Sequence, residues 1–557
     1  MGVRDSVDVI VVGSGGGALT AAITARSNGL ETLVLEKTAK IGGTTSLSGG
    51  LLWIPNNPVM REQGVADSFD AASKYLDALV DGADPASFKV RRDAYVRQGS
   101  RMIDLLRSHG MPFDPCAGYP DYYMDLPGAA LGRPLEPRPF DTNRLGPWRG
   151  RLRPQTLLPR FLKIRTSEFT DVSLARRSVK GALALSRVAS RSAIAAARGA
   201  SLVVGGEALV AQLLAIAVEL GVDIRTDSPM VDLWQEDGRV VGVTAEQAGT
   251  LTRIRAPRGV IFAAGGYAHN NEMRAAYARQ PSSSAWTKAN EGETGEALQV
   301  AMRAGAATYR IEEFWFSPMS RMPNGAMIPH NTDRTKPHSI IVDDNGNRFV
   351  SEAANYNEIG QRIYAHAKNA PAIPSWLVFD SNHRRKYPFF TAPPRRMPPD
   401  WIESGYIKKA DTLAELGRVC NIDAGRLVQT VERFNEMVRA GHDDDFGRGD
   451  NAYELYLGDP GNKPNPTLGE VARAPFYAVA LYPGDLGSCG GLVTDEDARV
   501  LRDDGTAIDG LYAAGNITAP IAAGKYWGAG ASIGASMTFG FVAAERAATR
   551  EVVEEMA

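Results

Sequence analysis

Cysteine and histidine are scarce in this sequence, and neither is clustered. The 557 residues include three cysteines, Cys116, Cys420 and Cys489, which lie far apart, and seven histidines. The sequence contains neither a CxxC nor an HExxH motif, so we expect no disulfide framework and no bound metal. This composition fits a reducing compartment.

An excess of charge and a long hydrophobic segment are also missing. The sequence has 62 Lys and Arg residues against 64 Asp and Glu residues, a net charge of −2, so we expect no binding to nucleic acid. The most apolar long stretch, 202–218, carries Glu207 and Gln212 and predicts a buried helix rather than a membrane span. No charged segment precedes an apolar run at the N-terminus, which predicts no signal peptide and a cytoplasmic location.

The N-terminal residues have the pattern of a dinucleotide-binding βαβ unit. Four consecutive apolar residues at 9–12 predict a buried parallel strand, and a helix and a second strand at 32–35 follow. Glu36 ends the second strand, where a carboxylate can bind the ribose of an adenosine. The turn between strand and helix has a GxGxxA pattern, in which the predicted cofactor-binding residues are Gly13, Gly15, Gly17 and Ala18.

Each position of that turn has a physical role. Gly13 permits the tight turn, Gly15 lets the backbone approach a pyrophosphate, and Ala18 allows the helix to pack closely on the strand. The helix N-terminus then points free N–H groups at the phosphates. The sequence therefore predicts a bound nucleotide cofactor.

A second Gly/Ser/Thr loop follows Glu36 and extends the predicted cofactor site. Its candidate binding residues are Lys37, Gly43, Thr44, Thr45, Ser46, Gly49 and Gly50. This loop resembles the GG(T/S)T…SGG loop of the fumarate reductase/succinate dehydrogenase-like flavoproteins, which implies FAD. Some members of that superfamily carry a histidine here that bonds covalently to the flavin. Thr44, Thr45 and Ser46 stand in this segment instead, which implies non-covalent FAD.

Two later segments have the same character as the first strand and turn. An apolar strand at 260–263 is followed by Ala264 and Gly265, and the segment 510–514 is followed by Gly515 and Asn516. The second segment resembles the GLYAAGE/N motif of the same superfamily, which implies that Asn516 binds the ribitol of FAD.

A helix that begins near Gly530 extends this prediction to the C-terminus. Its first turn, with Ala531 and Ile533, would place the positive end of a helix near the N1/O2 edge of the flavin. We predict an α/β fold with a Rossmann-like FAD-binding domain in two segments, 1–310 and 478–557. An inserted α+β substrate/catalytic domain is predicted at 311–477.

Three tyrosine-containing segments lie outside these nucleotide motifs. They are Tyr119-Pro120-Asp121-Tyr122-Tyr123, Arg348-Phe349-Val350-Ser351-Glu352-Ala353-Ala354-Asn355-Tyr356 and Lys525-Tyr526-Trp527-Gly528-Ala529-Gly530. They resemble segments of the 3-ketosteroid Δ1-dehydrogenases, and the resemblance runs over most of the chain. The segment 481–487 and the Ala513-Ala514-Gly515-Asn516 segment resemble the same family.

The resemblance implies a role for each tyrosine. Tyr356 matches the base that takes the C2 proton of the steroid, and Tyr122 matches the tyrosine that assists it, with Tyr123 as the alternative. The Tyr526 hydroxyl and the Gly530 N–H match the two groups that bind the C3 carbonyl. The implied reaction desaturates C1–C2 of a 3-ketosteroid in steroid degradation, with hydride transfer from C1 to flavin N5. The electrons then pass to a quinone-like acceptor.

The chemistry of a ketone supports these roles independently. The C–H bond next to a ketone becomes acidic only if the developing enolate oxygen is stabilised, and a hydroxyl and an N–H aimed at that oxygen do this. A phenol has a reference pKa of about 10, so Tyr356 needs a stabilised phenolate to work as a base.

The sequence departs from the family pattern at three places. Tyr526-Trp527-Gly528-Ala529-Gly530 replaces the usual YPGPG, and Asn355 and Ser351 replace a proline and an asparagine before the base. A 3-ketosteroid Δ4-(5α)-dehydrogenase has a serine two residues after the C-terminal tyrosine. Gly528 occupies that place, which favours the Δ1 reaction.

Two other hypotheses about the function remain open. A fumarate reductase-like dicarboxylate or enoate reductase needs arginines that grip carboxylates, and Arg334, His338 and Arg362 are available for this. A flavin-binding protein without catalytic activity would bind FAD that no steroid reduces.

The segment 144–198 is rich in positive charge and has interleaved apolar residues. The positive residues include Arg149, Arg151, Arg153, Arg160, Lys163, Arg165, Arg176, Arg177, Lys180, Arg187 and Arg191, and the apolar ones are Leu157, Leu158, Phe161, Leu162 and Ile164. One interpretation is a solvated helix face with a loop. The other is peripheral contact with an anionic membrane surface, which would suit an enzyme that acts on a water-insoluble substrate.

Overall fold

The computed structural model describes residues 6–80, 86–155 and 161–550. In the described residues the strands are, in chain order, β1 Val9–Val12, β2 Thr32–Leu35, β3 Leu52–Trp53, β4 Phe113–Pro115, β5 Pro134–Pro137, β6 Phe140–Asp141, β7 Leu202–Val203, β8 Asp223–Arg225, β9 Met230–Glu236, β10 Arg239–Gln247, β11 Thr250–Arg255, β12 Gly259–Phe262, β13 Thr308–Tyr309, β14 Phe314–Arg321, β15 Met327–Pro329, β16 Ser339–Val342, β17 Ser375–Asp380, β18 Lys408–Ala410, β19 Phe476–Ser488, β20 Gly491–Leu492, β21 Arg499–Leu501 and β22 Ala507–Ala513.

The α-helices of the same residues are α1 Gly16–Ser27, α2 Gly43–Leu47, α3 Pro58–Glu62, α4 Phe69–Ala78, α5 Ala86–Ser108, α6 Phe169–Ser173, α7 Val179–Ala197, α8 Gly205–Glu219, α9 Asn271–Tyr277, α10 Glu296–Arg303, α11 Tyr356–His366, α12 Ser381–Lys386, α13 Pro399–Glu403, α14 Leu413–Cys420, α15 Ala424–Ala440, α16 Ala452–Leu457 and α17 Ala531–Thr549. Short 3₁₀ helices occupy Thr142–Arg151, Thr166–Glu168, Ser284–Trp286 and Gly515–Ile517.

The first large sheet carries the predicted nucleotide motifs. Its described strands lie in the order β21-β22-β12-β1-β2-β8, and all neighbours are parallel except β21 and β22. All residues of β1 and β2 are buried, as the continuous apolar runs predicted. Because β22 pairs with β12, with Tyr512 opposite Ile261, the two distant parts of the chain meet in one sheet as expected.

Helix α1 crosses this sheet and packs against α17 at the other end of the chain. The two helices approach so closely that a Cβ on Gly540 would lie 2.2 Å from the Gly17 carbonyl oxygen. A Cβ on Gly17 would in turn lie 2.7 Å from the Ser536 carbonyl oxygen of α17, so both glycines allow this close packing of the two helices. Ala18 is fully buried between helix and core, in line with the packing role expected for it.

The second large sheet is antiparallel and contains β15-β14-β19-β17-β16, with β18 paired to β19. Alternate side chains of β16 point to opposite faces. Ile340 and Val342 pack with α14 and α15, while Ile341 packs with α11. The predicted domain boundary at 477/478 lies inside strand β19. The division of the chain into domains at 310/311 and 477/478 stays a prediction.

Helix α8 fulfils the expectation of a buried helix near 202–218, since most of its residues are inaccessible. In the parts of the chain that the structure describes, no helix is long and apolar enough to cross a bilayer. The three cysteines are buried and unpaired, and the described residues contain no group of His, Cys, Asp or Glu arranged to hold a metal ion.

Candidate active site

One cavity of about 860 Å³ connects the nucleotide motifs with the tyrosine segments. It begins at the turns that follow the carboxyl ends of β1 and β12, passes the tyrosines, and continues to α6 and α7. Ligands of open parallel sheets bind at this end of the strands. The cavity volume lies in the range that cofactor and substrate sites require.

Most of the predicted cofactor-binding residues line this cavity. They are Gly13, Gly15, Gly17, Glu36, Lys37, Gly43, Thr44, Thr45, Gly49, Gly50, Ala264, Gly265, Gly515, Asn516 and Ile533. Ala18, Ser46 and Ala531 do not form part of its wall. Ser46 points away and donates its hydroxyl to the Arg153 carbonyl, and Ala531 is fully buried in the first turn of α17.

Hydrogen bonds hold the two glycine-rich loops together at the β1 end. The Ser14 hydroxyl donates to Glu36 Oε2 at 2.6 Å and accepts from the Gly42 N–H at 3.1 Å. The Gly16 N–H at the start of α1 donates to Thr45 Oγ1 at 3.1 Å. The turn after β1 and the Gly/Ser/Thr loop after Glu36, which were predicted separately from the sequence, thus form one surface, called here the cofactor cradle.

Two further residues of the cradle carry no motif and were missed by the sequence analysis. Asn290 donates its N–H to the Thr44 hydroxyl at 2.8 Å, and its buried Oδ1 has no partner among the described residues. Glu293 accepts from the Thr44 hydroxyl and from the Gly266 N–H. Burial raises the pKa of Glu293 to about 7.

This end of the cavity fits FAD. A diphosphate could be bound here by the glycine backbone, the hydroxyls and the N-terminus of α1. A ligand could also donate a hydrogen bond to Asn290 Oδ1, which is buried and has no partner among the described residues. On the opposite wall Asn516 Oδ1 accepts from the Trp315 Nε1–H at 3.0 Å, which fixes the amide that the resemblance assigned to the ribitol.

The structure brings the three predicted catalytic tyrosines together, although they come from distant parts of the chain. Ring centroids are 5.6 Å apart for Tyr122 and Tyr356, 5.7 Å for Tyr122 and Tyr526, and 5.3 Å for Tyr356 and Tyr526. All three are buried and line the cavity. Tyr123 is only half-buried and does not line it, so the geometry favours Tyr122 over Tyr123 as the neighbour of Tyr356.

Local capping fixes the position of Tyr356. It is the first residue of α11, and the Asn355 side chain caps that helix by accepting from the Glu358 N–H at 3.0 Å. An asparagine is a strong N-cap residue, which explains how the helix begins here without the proline usual in the family.

The loop before α17 is held by packing instead of by proline. The Trp527 indole is fully buried, lies edge-on to Trp53 and does not line the cavity. Its carbonyl accepts from the Tyr75 hydroxyl at 2.6 Å and from the Tyr122 N–H at 3.1 Å. The backbone at Trp527 thus connects the loop before α17 to α4 and to the loop that carries Tyr122.

Gly530 has a conformation that few other residues could adopt. Its φ is +86°, and a Cβ would lie 2.1 Å from the Leu51 carbonyl oxygen. Its N–H has no acceptor among the described residues and stands at the positive end of α17. Nearby, the hydroxyls of Tyr526 and Ser532 hydrogen-bond at 3.1 Å.

The cavity disfavours a phenolate at Tyr356 unless neighbours support it. Burial raises the pKa of Tyr356 well above its usual value, whereas a hydrogen bond with Tyr122 lowers it. Burial also raises the pKa of Tyr122. Two more aromatic residues of this wall, Tyr453 and Trp315, carry no sequence signal and were missed.

The residues considered for a dicarboxylate site do not line the cavity. Arg334 is buried and donates to the carbonyls of Glu352 and Ala354. Arg362 is exposed and pairs with Glu358, while His338 hydrogen-bonds with Lys386 and the Glu470 carbonyl. These three residues therefore form no clamp for a carboxylate in the cavity.

Many of the positive residues of 144–198 are paired within the protein. The pairs are Arg151–Asp227, Arg165–Asp114, Arg165–Glu136, Arg177–Asp459, Lys180–Asp171 and Arg191–Glu168. Lys163 and Arg176 line the cavity, and so does Leu185 of α7. Arg160, Leu157 and Leu158 lie outside the described residues.

Comparisons with known proteins agree with this geometry. Residues 8–533 match the family described as FAD binding domain. The 3-oxosteroid 1-dehydrogenase of Mycolicibacterium smegmatis is 41% identical over 552 residues, which cover 96% of each chain. The crystal structure of 3-ketosteroid delta1-dehydrogenase from Sterolibacterium denitrificans in complex with 1,4-androstadiene-3,17-dione is 35% identical. It superposes with a TM-score of 0.93 over 98% of this chain and 100% of that one.

The fold, the cofactor cradle and these similarities define an FAD-dependent oxidoreductase. Within that class, the chain belongs to the family of the 3-oxosteroid 1-dehydrogenases. The resemblance inferred from the tyrosine segments, the α/β fold class and the FAD cofactor are thereby confirmed. The roles of single residues stay predictions.

Proposed function

We propose that this protein is a 3-ketosteroid Δ1-dehydrogenase that removes hydrogen from C1 and C2 of a 3-keto-4-ene steroid, as a step in steroid degradation. The observation that carries the proposal is the cluster of Tyr122, Tyr356 and Tyr526 in the wall of the FAD cavity, with Gly530 beside it. The names of the relatives support the substrate class.

The ketone oxygen binds between Tyr526 and Gly530. The Tyr526 hydroxyl and the Gly530 N–H donate to it, and the positive end of α17 adds to the stabilisation as the enolate forms. Both groups are in place before substrate arrives, so they need no reorganisation during the reaction.

Tyr356 takes the proton from C2. As a phenolate it forms an O–H bond with that proton, and the electron pair of the C2–H bond moves toward the C3 carbonyl to give the enolate. The same pair forms the C1–C2 double bond as hydride leaves C1. Tyr122 donates a hydrogen bond to Tyr356 and so stabilises the phenolate before the proton arrives. FAD, when bound, supplies the acceptor for the hydride that leaves C1.

The cavity beyond the tyrosines accepts an apolar ring system. Its wall there includes Leu162, Ile164, Phe169, Phe390 and Leu486. Apolar walls of this kind bind a steroid skeleton by the hydrophobic effect, while the hydrogen bonds to its ketone fix how the steroid is oriented.

The position that distinguishes the Δ4-(5α) alternative is closed by packing. A Cβ on Gly528 would lie 2.2 Å from Cδ1 of the Trp53 indole, which is fully buried. A serine, as the Δ4-(5α)-dehydrogenases carry, does not fit there unless Trp53 moves. This favours Δ1 desaturation.

Helix α7 supports a second proposal, peripheral contact with an anionic membrane surface. Val179, Leu183, Arg187 and Ile194 are exposed, and at 100° per residue they fall within about 80° of arc. The buried residues of α7 lie on the opposite side. An outward apolar face with basic residues fits the headgroup region of an anionic bilayer.

Leu185, on another side of the same helix, lines the cavity, and so does Arg176, which precedes the helix. Helix α7 would therefore lie between the bilayer and the cavity that takes the water-insoluble steroid. We further propose a quinone-like electron acceptor, since the reaction leaves two electrons on the cofactor and quinones share the lipid phase with the substrate.

Product analysis tests the function. The FAD-loaded protein is incubated with 5α-androstane-3,17-dione and an artificial electron acceptor, and the position of the new double bond is read by NMR. We expect a C1–C2 double bond. A C4–C5 double bond would establish the Δ4-(5α) alternative, and no steroid product together with fumarate reduction would establish the reductase.

A further inference from the structure

A tight turn with a strained backbone forms part of the cavity wall and has no role in the mechanism described so far. Phe390, which is half-buried, and Thr391, which is exposed, are its two central residues, and both line the cavity. The backbones of Phe389 and Ala392 on either side exchange two hydrogen bonds of 2.9 Å. Phe390 has a φ of +49°, at the first central position, where two-residue turns with a positive φ favour glycine. Such strain in a cavity wall points to a function.

Two buried side chains of opposite charge hold this turn. Arg384 of α12 closes its base, because its guanidinium donates to the carbonyls of Tyr387 and Pro393 at 2.7 and 2.9 Å. Asp333 holds its tip, since both oxygens of the carboxylate accept from the Phe390 N–H at 3.2 Å. The protein itself thus fixes the turn in its strained conformation.

We propose that Asp333 is a positioning residue that sets which steroids the cavity binds. It does so by holding Phe390 in the wall, against the end of the steroid that lies away from the ketone. The proposal rests on the proposed function for the identity of the ligand. It assigns Asp333 an effect on steroid affinity and none on the transfer of the proton or the hydride.

The turn lies at the end of the cavity away from the nucleotide motifs. The Tyr387 hydroxyl, at the base of the turn, donates to Asp459 Oδ2 at 2.8 Å, and Arg177, which precedes α7, donates to the same oxygen at 3.0 Å. The turn is therefore a neighbour of the α6 and α7 end of the cavity. With the ketone between Tyr526 and Gly530, as proposed, the rings farthest from the ketone meet this wall.

A chain of hydrogen bonds keeps the Asp333 carboxylate in place. Asp333 Oδ2 accepts from His330 Nδ1 at 2.8 Å, and His330 Nε2 accepts from the Ser320 hydroxyl at 2.7 Å. The Ser320 oxygen in turn accepts from the Tyr406 hydroxyl at 2.7 Å. Because a carboxylate only accepts, Nδ1 carries the imidazole proton, and each hydroxyl then donates once along the chain.

These residue types also form the Ser-His-Asp triads of hydrolases, but the arrangement here presents no nucleophile to a ligand. Ser320 and His330 are fully inaccessible and do not line the cavity. The chain therefore orients the Asp333 carboxylate and takes no part in covalent chemistry.

The substitution Asp333→Ala tests the proposal, since it removes both acceptors of the Phe390 N–H. The steroid dependence of anaerobic flavin reduction gives the Kd of 4-androstene-3,17-dione and the limiting rate separately. We expect the Kd to rise about tenfold, as for the loss of one hydrogen bond to a charged group, and the limiting rate to stay within about twofold of wild type. A bicyclic 3-keto-4-ene analogue, which has only rings A and B of the steroid, should keep its Kd because it does not reach the turn.

Two further variants are controls for this substitution. Asp333→Asn keeps an oxygen that can accept from the Phe390 N–H and gains an amide that can donate to His330, so it should retain most of the steroid affinity. Asp344→Ala removes a carboxylate that accepts from the Trp376 indole at 3.0 Å, outside the cavity, and should match wild type.

Hydrogen exchange followed by mass spectrometry tests the hold on the turn without any steroid. The Phe390 amide should exchange about tenfold faster in Asp333→Ala than in wild type, and at the wild-type rate in Asp344→Ala. If wild type converts no steroid, the proposed function fails, while this measurement still decides whether Asp333 holds the turn.

Unchanged exchange in Asp333→Ala, or an equal rise in Kd for the steroid and the bicyclic analogue, would overturn the proposal. If this variant does not fold, Ser320→Ala, which removes the donor to His330, replaces it. We expect faster exchange and a higher steroid Kd there too, at smaller size, and no change in either would equally overturn the proposal.

Discussion

Replacing Tyr526 by phenylalanine removes one of the two donors that the proposed mechanism aims at the ketone oxygen. The ring stays packed edge-on against Trp315 at 5.0 Å and beside Tyr356 at 5.3 Å, so the cavity keeps its shape. The lost hydroxyl hydrogen-bonds with Ser532 at 3.1 Å. The free energy of unfolding should therefore fall by no more than about 1 kcal/mol.

The loss of rate should be larger than the loss of stability. One oxyanion donor contributes roughly 10²–10³ in kcat. We expect the lower end, about 10², because the Gly530 N–H and the end of α17 still support the oxygen. The steroid affinity should change little, since the interaction strengthens mainly as the enolate forms.

Anaerobic stopped-flow measurement of flavin reduction at saturating steroid gives the rate constant directly. Tyr364→Phe is the control, because that tyrosine is buried and donates its hydroxyl to the Pro281 carbonyl, away from the cavity. The control should match wild type. An unchanged rate in Tyr526→Phe would refute the assignment of this hydroxyl to the ketone.

Four further predictions follow from the geometry. Tyr356→Phe should abolish steroid dehydrogenation, measured as flavin reduction by the steroid, while the flavin absorbance shows that FAD remains bound. Wild-type activity in this variant would show that Tyr356 is not the base. Gly528→Ser should lower the melting temperature and the Δ1 rate without producing the Δ4 product, because its Cβ meets the indole beneath it at 2.2 Å. Glu293 has a folded-state pKa of about 7, above its unfolded value, so apo-protein stability should fall as pH rises between its unfolded and folded pKa values. The loss, on the order of 3 kcal/mol, should be absent in Glu293→Gln when thermal unfolding is followed against pH. Leu183→Glu should reduce co-sedimentation with phosphatidylglycerol vesicles, whereas Val419→Glu, at an exposed apolar position elsewhere, should not; equal binding by both would argue against the membrane surface.

The nucleotide end of the site was predictable because its signals are local. The strand at 9–12, the glycine turn and the strand at 32–35 lie within a short stretch of chain, and the structure confirms their bounds. Gly17 shows the limit of such a motif, since its closest neighbours belong to α17. Its spacing in the sequence does not reveal that distant partner.

Residues that reach the site through tertiary packing could not be found in this way. Asn290, Glu293 and Tyr453 stand outside the motifs recognised in the sequence, and the fold brings them to the cavity. The place of the Trp527 side chain could not be predicted from its replacement of the family's proline. The indole packs in the core beside Trp53, which depends on a side chain more than 470 residues away.

The most direct test of the proposed function is an anaerobic mixture of the oxidised, FAD-loaded protein with 4-androstene-3,17-dione, followed through the visible band of the flavin. We expect the band to bleach and the recovered steroid to be the 1,4-diene. No bleaching with this substrate or with a cholestenone, together with reoxidation of the dithionite-reduced protein by fumarate, would contradict it.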